Sequence, residues 1–334
     1  MNTKLIGVKE LPTFYNKYSN NTIKPKHVLE KSILVTGATG FIGSRLVNSL
    51  IEKGHDTSSL IRKGKTGHAK SNNIVGDLTD SRLNISDTKF DCVFHLASHT
   101  PLERNKKILE KVNLGGTKNL FEQVKDKTKA ITYISGLGVY GETQGMVVDE
   151  TFPYRPNTEF VKIRLDAQKF LEKNCKDLGI NFTAIHLGDV YGSDGWFYDV
   201  LVKRLLKNTF RLPKSGDYYK AFVHVDDAVE SMISILEKNS PNETYIVADP
   251  TIVKFKEFVD FTADSLGVKH PGPIPTFVAK AILGADLITL LTTSIRISNE
   301  KISQICDFKF PSYKQGIPNV ISELKAKKLL NKTT

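Results

Sequence analysis

The stretch SILVTGATGFIGSRLVNSLIEKGH, residues 32–55, decides the fold because its hydrophobic pattern changes in the middle. It starts as a short apolar run, which is typical of a buried strand, and continues with apolar residues at helical spacing. The apolar residues of the second part share one helical face: Ile42, Leu46, Val47, Leu50 and Ile51. Gly54 supplies the end of the helix. The stretch therefore predicts a strand, a tight turn and an amphipathic helix.

Three glycines lie in the turn between this strand and this helix, in the segment VTGATGFIG. Gly37 permits the tight turn, Gly40 lets a pyrophosphate approach the backbone, and Gly43 lets the helix pack closely. The helix N-terminus then presents its amides and the positive end of its dipole to the phosphates. The pattern predicts a dinucleotide site. The residues expected to contact the cofactor here are Gly37, Thr39, Gly40, Phe41, Ile42 and Gly43.

The end of the second predicted strand, TSSLIR, bears on which dinucleotide is bound. Arg62 and Lys63 stand where an acidic residue would bind the ribose 2′-hydroxyl of NAD. A guanidinium instead suits a 2′-phosphate, which it can contact with two N–H groups. The sequence therefore favours NADP and leaves NAD open. The alternative is that Arg62 is an ordinary surface residue at a strand end of a basic protein and contacts no cofactor.

Strands and helices alternate along the rest of the chain. Short apolar runs in FDCVFHLAS, AITYISGLGVYG and INFTAIHLGDVYG are separated by helical stretches. This alternation predicts an α/β fold, a Rossmann-type doubly wound parallel sheet with helices on both faces. We expect an N-terminal extension at 1–31 and an NAD(P)-binding Rossmann domain at 32–191. Residues 192–334 are expected to form mainly a smaller C-terminal substrate lobe, with some strands returning to the sheet.

The composition limits the classes of protein to which the chain can belong. The net charge of +11 comes mostly from scattered lysines, which favours a solvated surface and predicts no nucleic-acid partner. Three widely spaced cysteines form neither a disulfide framework nor a metal cluster, so we expect a reducing, cytoplasmic location and no metal. The apolar stretch from Phe277, FVAKAILGADLITLLTTSI, is interrupted by charges and predicts no membrane span. It predicts an amphipathic helix, with attachment to a membrane surface as the alternative.

Several segments occur in one order along the chain: TGATGFIG, VGDLTD, DCVFHLAS, NLGGTKN, GLGVYG and FVHVDDAVE. By these motifs the chain resembles the extended short-chain dehydrogenases/reductases, the group of NAD-dependent epimerases and dehydratases, from about Ser32 to about Lys325. The resemblance implies further cofactor contacts, made by Asp77, Leu78, Leu96, Ala97 and Ser98. It also implies that Asn113 and Thr117 lie on a helix that braces the site. The alternatives are a turn residue for Asp77, core packing for Leu96 and Ala97, and helix packing for Asn113 and Thr117.

The resemblance implies a catalytic Ser or Thr after the fifth strand and a Tyr-x-x-x-Lys on the following helix. The stretch NTEFVKIRLDAQKF, residues 157–170, predicts such a helix, with Asn157 or Thr158 as its cap. This chain has Gly136, Phe160 and Arg164 at those positions. Phe has no hydroxyl, Gly has no side chain, and Arg stays protonated at ordinary pH. The usual proton relay is therefore absent. We expect Arg164 still to bind the nicotinamide ribose or the pyrophosphate. The alternatives are that Arg164 forms a surface ion pair and that Phe160 is an aromatic residue of the core.

Three nearby side chains are candidates for the missing catalytic role: Ser135, Tyr140 and His186. His186 has the pKa of a workable general acid, although a lone His in a strand is more often structural. Lys220, before FVHVDDAVE, could meet a substrate phosphate or carboxylate, but a solvated loop is the simpler interpretation.

Two functions fit the sequence. The first is an NAD(P)-dependent oxidoreductase or epimerase-type enzyme with an atypical active site, acting on a carbonyl or hydroxyl of a small molecule such as a nucleotide sugar. The second is a non-catalytic NADP-binding structural or regulatory protein of the same fold. RNA binding through the basic surface is a weaker alternative. The resemblance also implies a homodimer through the helix that carries Phe160.

Overall fold

The computed structural model of the protein describes residues 30–80, 82–83, 85, 87–238 and 242–330. The predicted extension at 1–31 lies outside these residues, apart from its last two. In the described part of the chain, no helix is long and apolar enough to cross a membrane. All three cysteines are free thiols with buried side chains, as expected for small core residues.

A central sheet of seven parallel strands organises the molecule. The strands are β1 (Ser32–Thr36), β2 (Asp56–Ile61), β3 (Asn72–Val75), β4 (Cys92–His95), β5 (Ala130–Gly136), β6 (Asn181–Leu187) and β7 (Glu243–Val247). Their order across the sheet is β7-β6-β5-β4-β1-β2-β3. The strand order therefore reverses between β1 and β4, which is the doubly wound arrangement predicted from the sequence.

Helices cover both faces of this sheet. The α-helices of the described residues are α1 (Phe41–Glu52), α2 (Lys106–Leu109), α3 (Gly116–Val124), α4 (Glu159–Leu178), α5 (Lys203–Leu206), α6 (Val225–Lys238), α7 (Phe255–Leu266), α8 (Thr276–Leu283), α9 (Ala285–Thr292), α10 (Glu300–Ser303) and α11 (Tyr313–Ala326). On one face α1 and α6 bury residues such as Leu46 and Met232. On the other face α3 and α4 bury residues such as Phe121 and Leu171. The sheet thus lies between two apolar layers.

The C-terminal half contributes to the sheet and also builds a lobe of its own. β7 joins the sheet beside β6, and α6 covers it. The lobe has an aromatic core that includes Phe197, Phe258 and Tyr313. Short strands pair around it: Val147–Val148 with Arg296–Ile297, Asp189–Tyr191 with Phe222–His224, Leu212–Pro213 with Pro273–Ile274, and Tyr219–Lys220 with Val253–Lys254. The exact domain boundary stays a prediction.

Two predicted helices differ in detail from the structure. The apolar stretch from Phe277 forms two helices, α8 and α9, rather than one, because Gly284 between them has φ of +92°. This backbone conformation suits glycine and interrupts the helix. The helical stretch before β5 contains a π-helical turn, Glu110–Gly115, that joins α2 to α3. A second π-helical turn, Phe197–Val202, precedes α5.

Candidate functional site

The candidate site lies at the carboxyl ends of β1 and β4, where the strand order reverses. The turn after β1 is held by a hydrogen bond of 2.9 Å from the Gly40 N–H to the Gly37 carbonyl oxygen. Gly37 has φ of +70°, and a Cβ there would lie 2.9 Å from the backbone nitrogen of Ala97. A Cβ on Gly43 would lie 2.1 Å from the Gly37 carbonyl oxygen. Gly37 is therefore needed for its backbone conformation and Gly43 for the close approach of α1.

The N-terminal end of α1 is suited to an anion. Within the described residues no side chain caps this end, and its first turn contains no acidic residue. Its first backbone N–H groups and its dipole therefore favour a phosphate. Thr39 and Gly40 are exposed and Ile42 is half-buried. The Phe41 ring packs against Gly192, so Phe41 can offer its backbone to the site more readily than its side chain.

A second group of charges lies after β2 and β3. Arg62 and Lys63 are exposed immediately after β2. Oδ1 of Asp77 accepts two hydrogen bonds of 2.8 Å, from the N–H and the hydroxyl of Thr79. The Thr79 N–H is the main cause of a lowered pKa for Asp77, and the nearby charges of Arg62 and Lys111 lower that pKa further. Lys111 was missed by sequence reasoning because only the fold brings its π-helical turn beside β3.

His95, at the end of β4, fixes the loop that follows this strand. Its Nδ1 lies 2.8 Å from Oγ1 of Thr36 and its Nε2 lies 2.8 Å from Oγ1 of Thr117. Burial, with a contribution from the charge of Arg164, lowers the pKa of His95 to about 3, so the ring is neutral at ordinary pH. Oδ1 of Asn113 accepts a hydrogen bond of 2.7 Å from the N–H of His99. These contacts hold the loop against the segment that carries Asn113 and Thr117.

The other residues placed around the cofactor by the resemblance differ in exposure. Leu96, Ala97 and Ser98 are half-buried in the loop after β4, where they border the turn that holds Gly37. Leu78 is only 6% exposed and belongs to the apolar core beneath α3. This burial leaves Leu78 little surface to offer a cofactor. Leu96 and Ala97, for which core packing was the alternative, are only half-buried and can still meet a ligand.

The helix α4 carries the two family positions at one turn's spacing. It begins at Glu159, and Oγ1 of Thr158 accepts a hydrogen bond of 3.3 Å from the N–H of Val161. Thr158 is thus the N-cap, which decides between the two caps expected from the sequence. The Arg164 guanidinium lies 5.9 Å from the Phe160 ring centroid, so the i, i+4 pair shares one face of the helix.

Arg164 spans the ends of two central strands. Its Nη1 donates to Oγ of Ser98 and its Nη2 donates to the carbonyl oxygen of Ile134. The guanidinium also lies 5.5 Å from the ring centroid of Tyr133. Because an arginine has five N–H donors, these two bonds leave others for a ligand. Arg164 is therefore a fixed cation between the loop after β4 and the end of β5, and not a surface ion pair.

The third family position, Gly136, has room around it for a side chain. Its backbone is extended, with φ of −145° and ψ of 164°. A Cβ there would meet only the carbonyl oxygen of Leu187, at 3.7 Å, which is an ordinary contact. Packing therefore does not explain why this position lacks a side chain.

The candidates for a replacement acid lie away from any open surface. His186 and Tyr140 are both 0% exposed. Nδ1 of His186 lies 2.8 Å from the Tyr140 hydroxyl, and its Nε2 lies 3.0 Å from Oε1 of Gln168. Burial lowers the pKa of His186 to about 3 and raises the pKa of Tyr140. The predicted catalytic role of these two residues does not fit this closed geometry, in which they form a structural network with Gln168.

Ser135 is also poorly placed for catalysis. It is 5% exposed, and its Oγ has no hydrogen-bond partner among the described residues. It lies directly opposite His186 in the pairing of β5 with β6. The candidate acids are therefore clustered at the end of these strands but are closed to a ligand.

Lys220 is not part of a solvated loop, contrary to the simpler interpretation of the sequence. It is 9% exposed, and its Nζ lies 2.9 Å from Oδ2 of Asp189. A cation buried this deeply is normally paired, because an unpaired charge is costly to remove from water. Its charge is consequently committed to Asp189.

Comparisons with known proteins agree with this arrangement. Residues 33–248 match the NAD dependent epimerase/dehydratase family. The UDP-glucose 4-epimerase of Vibrio cholerae is 26% identical over 309 residues, which cover 85% of this chain and 92% of that protein. The 3-beta-hydroxysteroid dehydrogenase of Mycolicibacterium neoaurum is 29% identical over 262 residues, which cover 72% of this chain and 71% of that protein.

The fold is also found in solved structures. The dTDP-glucose 4,6-dehydratase DesIV from Streptomyces venezuelae, solved with NAD and TYD bound, has a TM-score of 0.77 to this chain. The two are 19% identical, and the match covers 89% of this chain and 98% of that one. At this identity the likeness shows the fold, and the chemistry has to be argued from the residues of this chain.

Proposed function

Because the chain belongs to the NAD dependent epimerase/dehydratase family, we propose that it binds NADP(H) and acts on a small carbonyl or hydroxyl compound without the usual Ser-Tyr-Lys relay. One observation carries the proposal: Arg164 bridges Ser98 and Ile134 at the open end of the sheet. One relative is named an epimerase and another a dehydrogenase, which supports a reaction at such a group.

The turn and helix after β1 fit a dinucleotide. A Cβ on Gly40 would lie 3.2 Å from the Gly37 carbonyl oxygen, so a side chain there would crowd the surface that a pyrophosphate approaches. The uncapped end of α1 offers backbone N–H groups to the same phosphates. When bound, the dinucleotide supplies hydride transfer through its nicotinamide. The chain's own residues bind and orient it.

The charges after β2 and β3 favour NADP over NAD. Arg62 and Lys111 both act on the carboxylate of Asp77, so two cations surround the place where the adenosine ribose is expected. A 2′-phosphate suits such a pair, because its charge is matched and the guanidinium can make two hydrogen bonds to it. The carboxylate of Asp77 accepts hydrogen bonds from Thr79, so it is less available to accept one from a ribose hydroxyl.

Ser98 and Arg164 are the groups best placed to orient a substrate oxygen. The Ser98 hydroxyl oxygen accepts a hydrogen bond from Arg164, so its own hydrogen is free to be donated. The positive charge of Arg164 strengthens that donor and stabilises negative charge that develops on the oxygen. Neither Ser98 nor Arg164 has lost a proton at the end of the reaction, so the proton that completes a reduction comes from water.

A non-catalytic role is the second candidate. It is favoured by the closed network of His186, Tyr140 and Gln168, which removes the nearest proton-carrying side chains from the cleft. Under this alternative the protein binds NADP(H) but turns nothing over. Measuring NADPH oxidation with a panel of ketones, aldehydes and sugar nucleotides separates the two candidates, since the first requires turnover with at least one of them.

Replacing Arg164 by Gln tests the proposed cofactor contact. Arg164→Gln is expected to weaken NADPH binding about tenfold, because charge-assisted hydrogen bonds to the cofactor are lost. Lys169→Gln, an exposed change on the same helix, is the matched control and should leave NADPH affinity unchanged. Fluorescence titration of NADPH measures both. Equal NADPH affinity in the two variants would show that Arg164 does not contact the cofactor.

A further inference from the structure

The helices α8 and α9 form a roof beside the catalytic positions. Cδ1 of Leu290, on α9, lies 2.8 Å from where a Cβ on Gly138 would be, two residues after Gly136. Oδ2 of Asp286 accepts a hydrogen bond of 2.9 Å from the N–H of Glu159, at the start of α4. The roof is therefore attached to the helix that carries Phe160 and Arg164.

The junction of the two roof helices is tied to the loop after β4. Nη2 of Arg104 donates a hydrogen bond of 2.7 Å to the carbonyl oxygen of Ile282, at the end of α8. Arg104 also lies against Gly284, where the two helices meet. Together with the contact at Glu159, this ties the junction of the roof both to the loop after β4 and to the start of α4.

The inner side of the roof is apolar. Leu290 packs in one cluster with Leu137, Val161 and Phe160, which surround the catalytic positions. The sequences of the two helices, TFVAKAIL and ADLITLLT, contain one cation and one acid. The acid, Asp286, is used by the Glu159 N–H, and Lys280 is exposed. The surface offered to a ligand is therefore formed mainly by carbon atoms.

The rim of this region is apolar as well. Three large apolar side chains on the roof and on the loop after β4 are strongly exposed: Leu102 is 66%, Phe277 75% and Ile282 59% exposed. Exposed apolar side chains that form a contiguous patch often mark a ligand groove or an interaction site. The elements that carry these residues are joined by Arg104.

Two cations beside the segment that follows α9, Lys220 and Arg296, are already engaged. Lys220 is paired with Asp189 at 2.9 Å. Arg296 donates to the carbonyl oxygen of Gly145 and lies 5.3 Å from the ring centroid of Tyr219. A nucleotide diphosphate needs free Arg or Lys donors, because its charges are costly to bury unpaired. Lys220 and Arg296 are consequently less available to a diphosphate, and the apolar roof is better suited to an uncharged ligand.

From these contacts we infer that the substrate is an apolar, uncharged carbonyl compound and not a nucleotide diphosphate sugar. The inference rests on the proposed function, since it takes the cleft beside the NADP(H) site as the substrate site. The apolar roof contacts the carbon skeleton, and Ser98 and Arg164 meet the carbonyl oxygen. Leu290 is the residue on the roof that most directly faces the catalytic positions.

Calorimetric titration of the full chain, saturated with NADPH, tests this inference. The probes are two apolar ketones, benzylacetone and progesterone, and one sugar nucleotide, UDP-galactose. We expect at least one ketone to bind about tenfold more tightly than UDP-galactose, because the roof supplies apolar contact and its two helices carry a single cation, Lys280. Leu290→Gln should weaken ketone binding about tenfold without changing NADPH affinity. Leu178→Gln, an exposed change on α4, is the matched control and should alter neither.

The outcomes separate this inference from the proposed function. Absence of NADPH binding would overturn the proposed function itself. Normal NADPH binding with tighter binding of UDP-galactose, or with no binding of either ketone, would overturn the inference alone. The inference is also overturned if Leu290→Gln binds ketones as well as Leu178→Gln does. If Leu290→Gln does not fold, the comparison of ketones with UDP-galactose on the wild type still decides.

Discussion

Gly136, Phe160 and Arg164 together decide whether a proton can be passed to a substrate oxygen. The triple change Gly136→Ser, Phe160→Tyr and Arg164→Lys restores the family's groups, and Gly136 has room for the side chain. Because a positioned general acid contributes roughly a hundredfold or more, we expect kcat for NADPH-dependent ketone reduction to rise about a hundredfold. Stopped-flow or steady-state NADPH oxidation measures this.

The single change Gly136→Ser is the control for the triple variant. It adds a hydroxyl but no Tyr or Lys, so it should leave kcat near the wild-type value. A triple variant that binds NADPH normally and is no faster than this control would contradict the assignment of the three positions. The test therefore distinguishes a lost relay from a site that never held a substrate.

Single residues differ in how far the sequence predicts their roles. Gly37 and Gly43 could be predicted because their roles depend on backbone geometry within one turn. The closed position of His186 could not, because it depends on Tyr140 and Gln168, which lie 46 and 18 residues away along the chain. Gln168 gave a weak signal, a polar residue on the buried face of α4.

At the scale of elements, local pattern predicted β1, the turn and α1 well. The apolar run, the glycines and the helical spacing all belong to one continuous stretch, so no distant contact was needed. The break between α8 and α9 was missed because a glycine inside an apolar helical pattern is often tolerated. Only the positive φ of Gly284 shows that the helix ends there. The π-helical turn Glu110–Gly115 gave no pattern of its own.

At the scale of the whole molecule, alternation of strands and helices predicted the doubly wound sheet. The contacts within the site could not be predicted without the fold, because they join residues that are far apart in the sequence. Arg164 meets Ser98 across 66 residues of sequence, and Lys111 approaches Asp77 from another element. The roof of α8 and α9 joins the site from the far end of the chain. The family resemblance named several of these positions without giving their contacts.

Buried histidines make the stability of the whole molecule depend on pH. The pKa of His186 is about 3 in the folded protein, because of burial, and about 6.5 when unfolded. The unfolded chain therefore binds more protons, and stability is lost as pH falls from about 6.5 towards about 3. Between pH 7 and pH 5 the loss from His186 is about 2 kcal/mol. Between pH 7 and pH 5, the free energy of unfolding measured with urea should accordingly fall by about 2 kcal/mol less in His186→Asn than in the wild type.

Comparing the pH dependence of the unfolding free energy in wild type and in His186→Asn isolates the contribution of His186 from those of the other buried groups. Burial also lowers the pKa of His95 to about 3, which adds to the slope, and raises the pKa of Asp249 to about 8, which opposes it. Both groups are present in wild type and variant, so they cancel in the difference. Leu178→Asn, at an exposed position without a titratable group, is the control and should keep the wild-type slope. An unchanged slope in His186→Asn would contradict the neutral, closed ring.

Parallel titrations with NADPH and NADH test the central claim, an NADP(H) site at the turn after β1, most directly. The measurement uses wild type, Arg62→Ala and, as a charge-matched control at an exposed distant position, Lys207→Ala. We expect wild type and Lys207→Ala to bind NADPH about tenfold more tightly than NADH, because Arg62 makes charge-assisted hydrogen bonds to the 2′-phosphate. Arg62→Ala should lose that preference and keep its NADH affinity. Failure of the wild type to bind either dinucleotide would contradict the account.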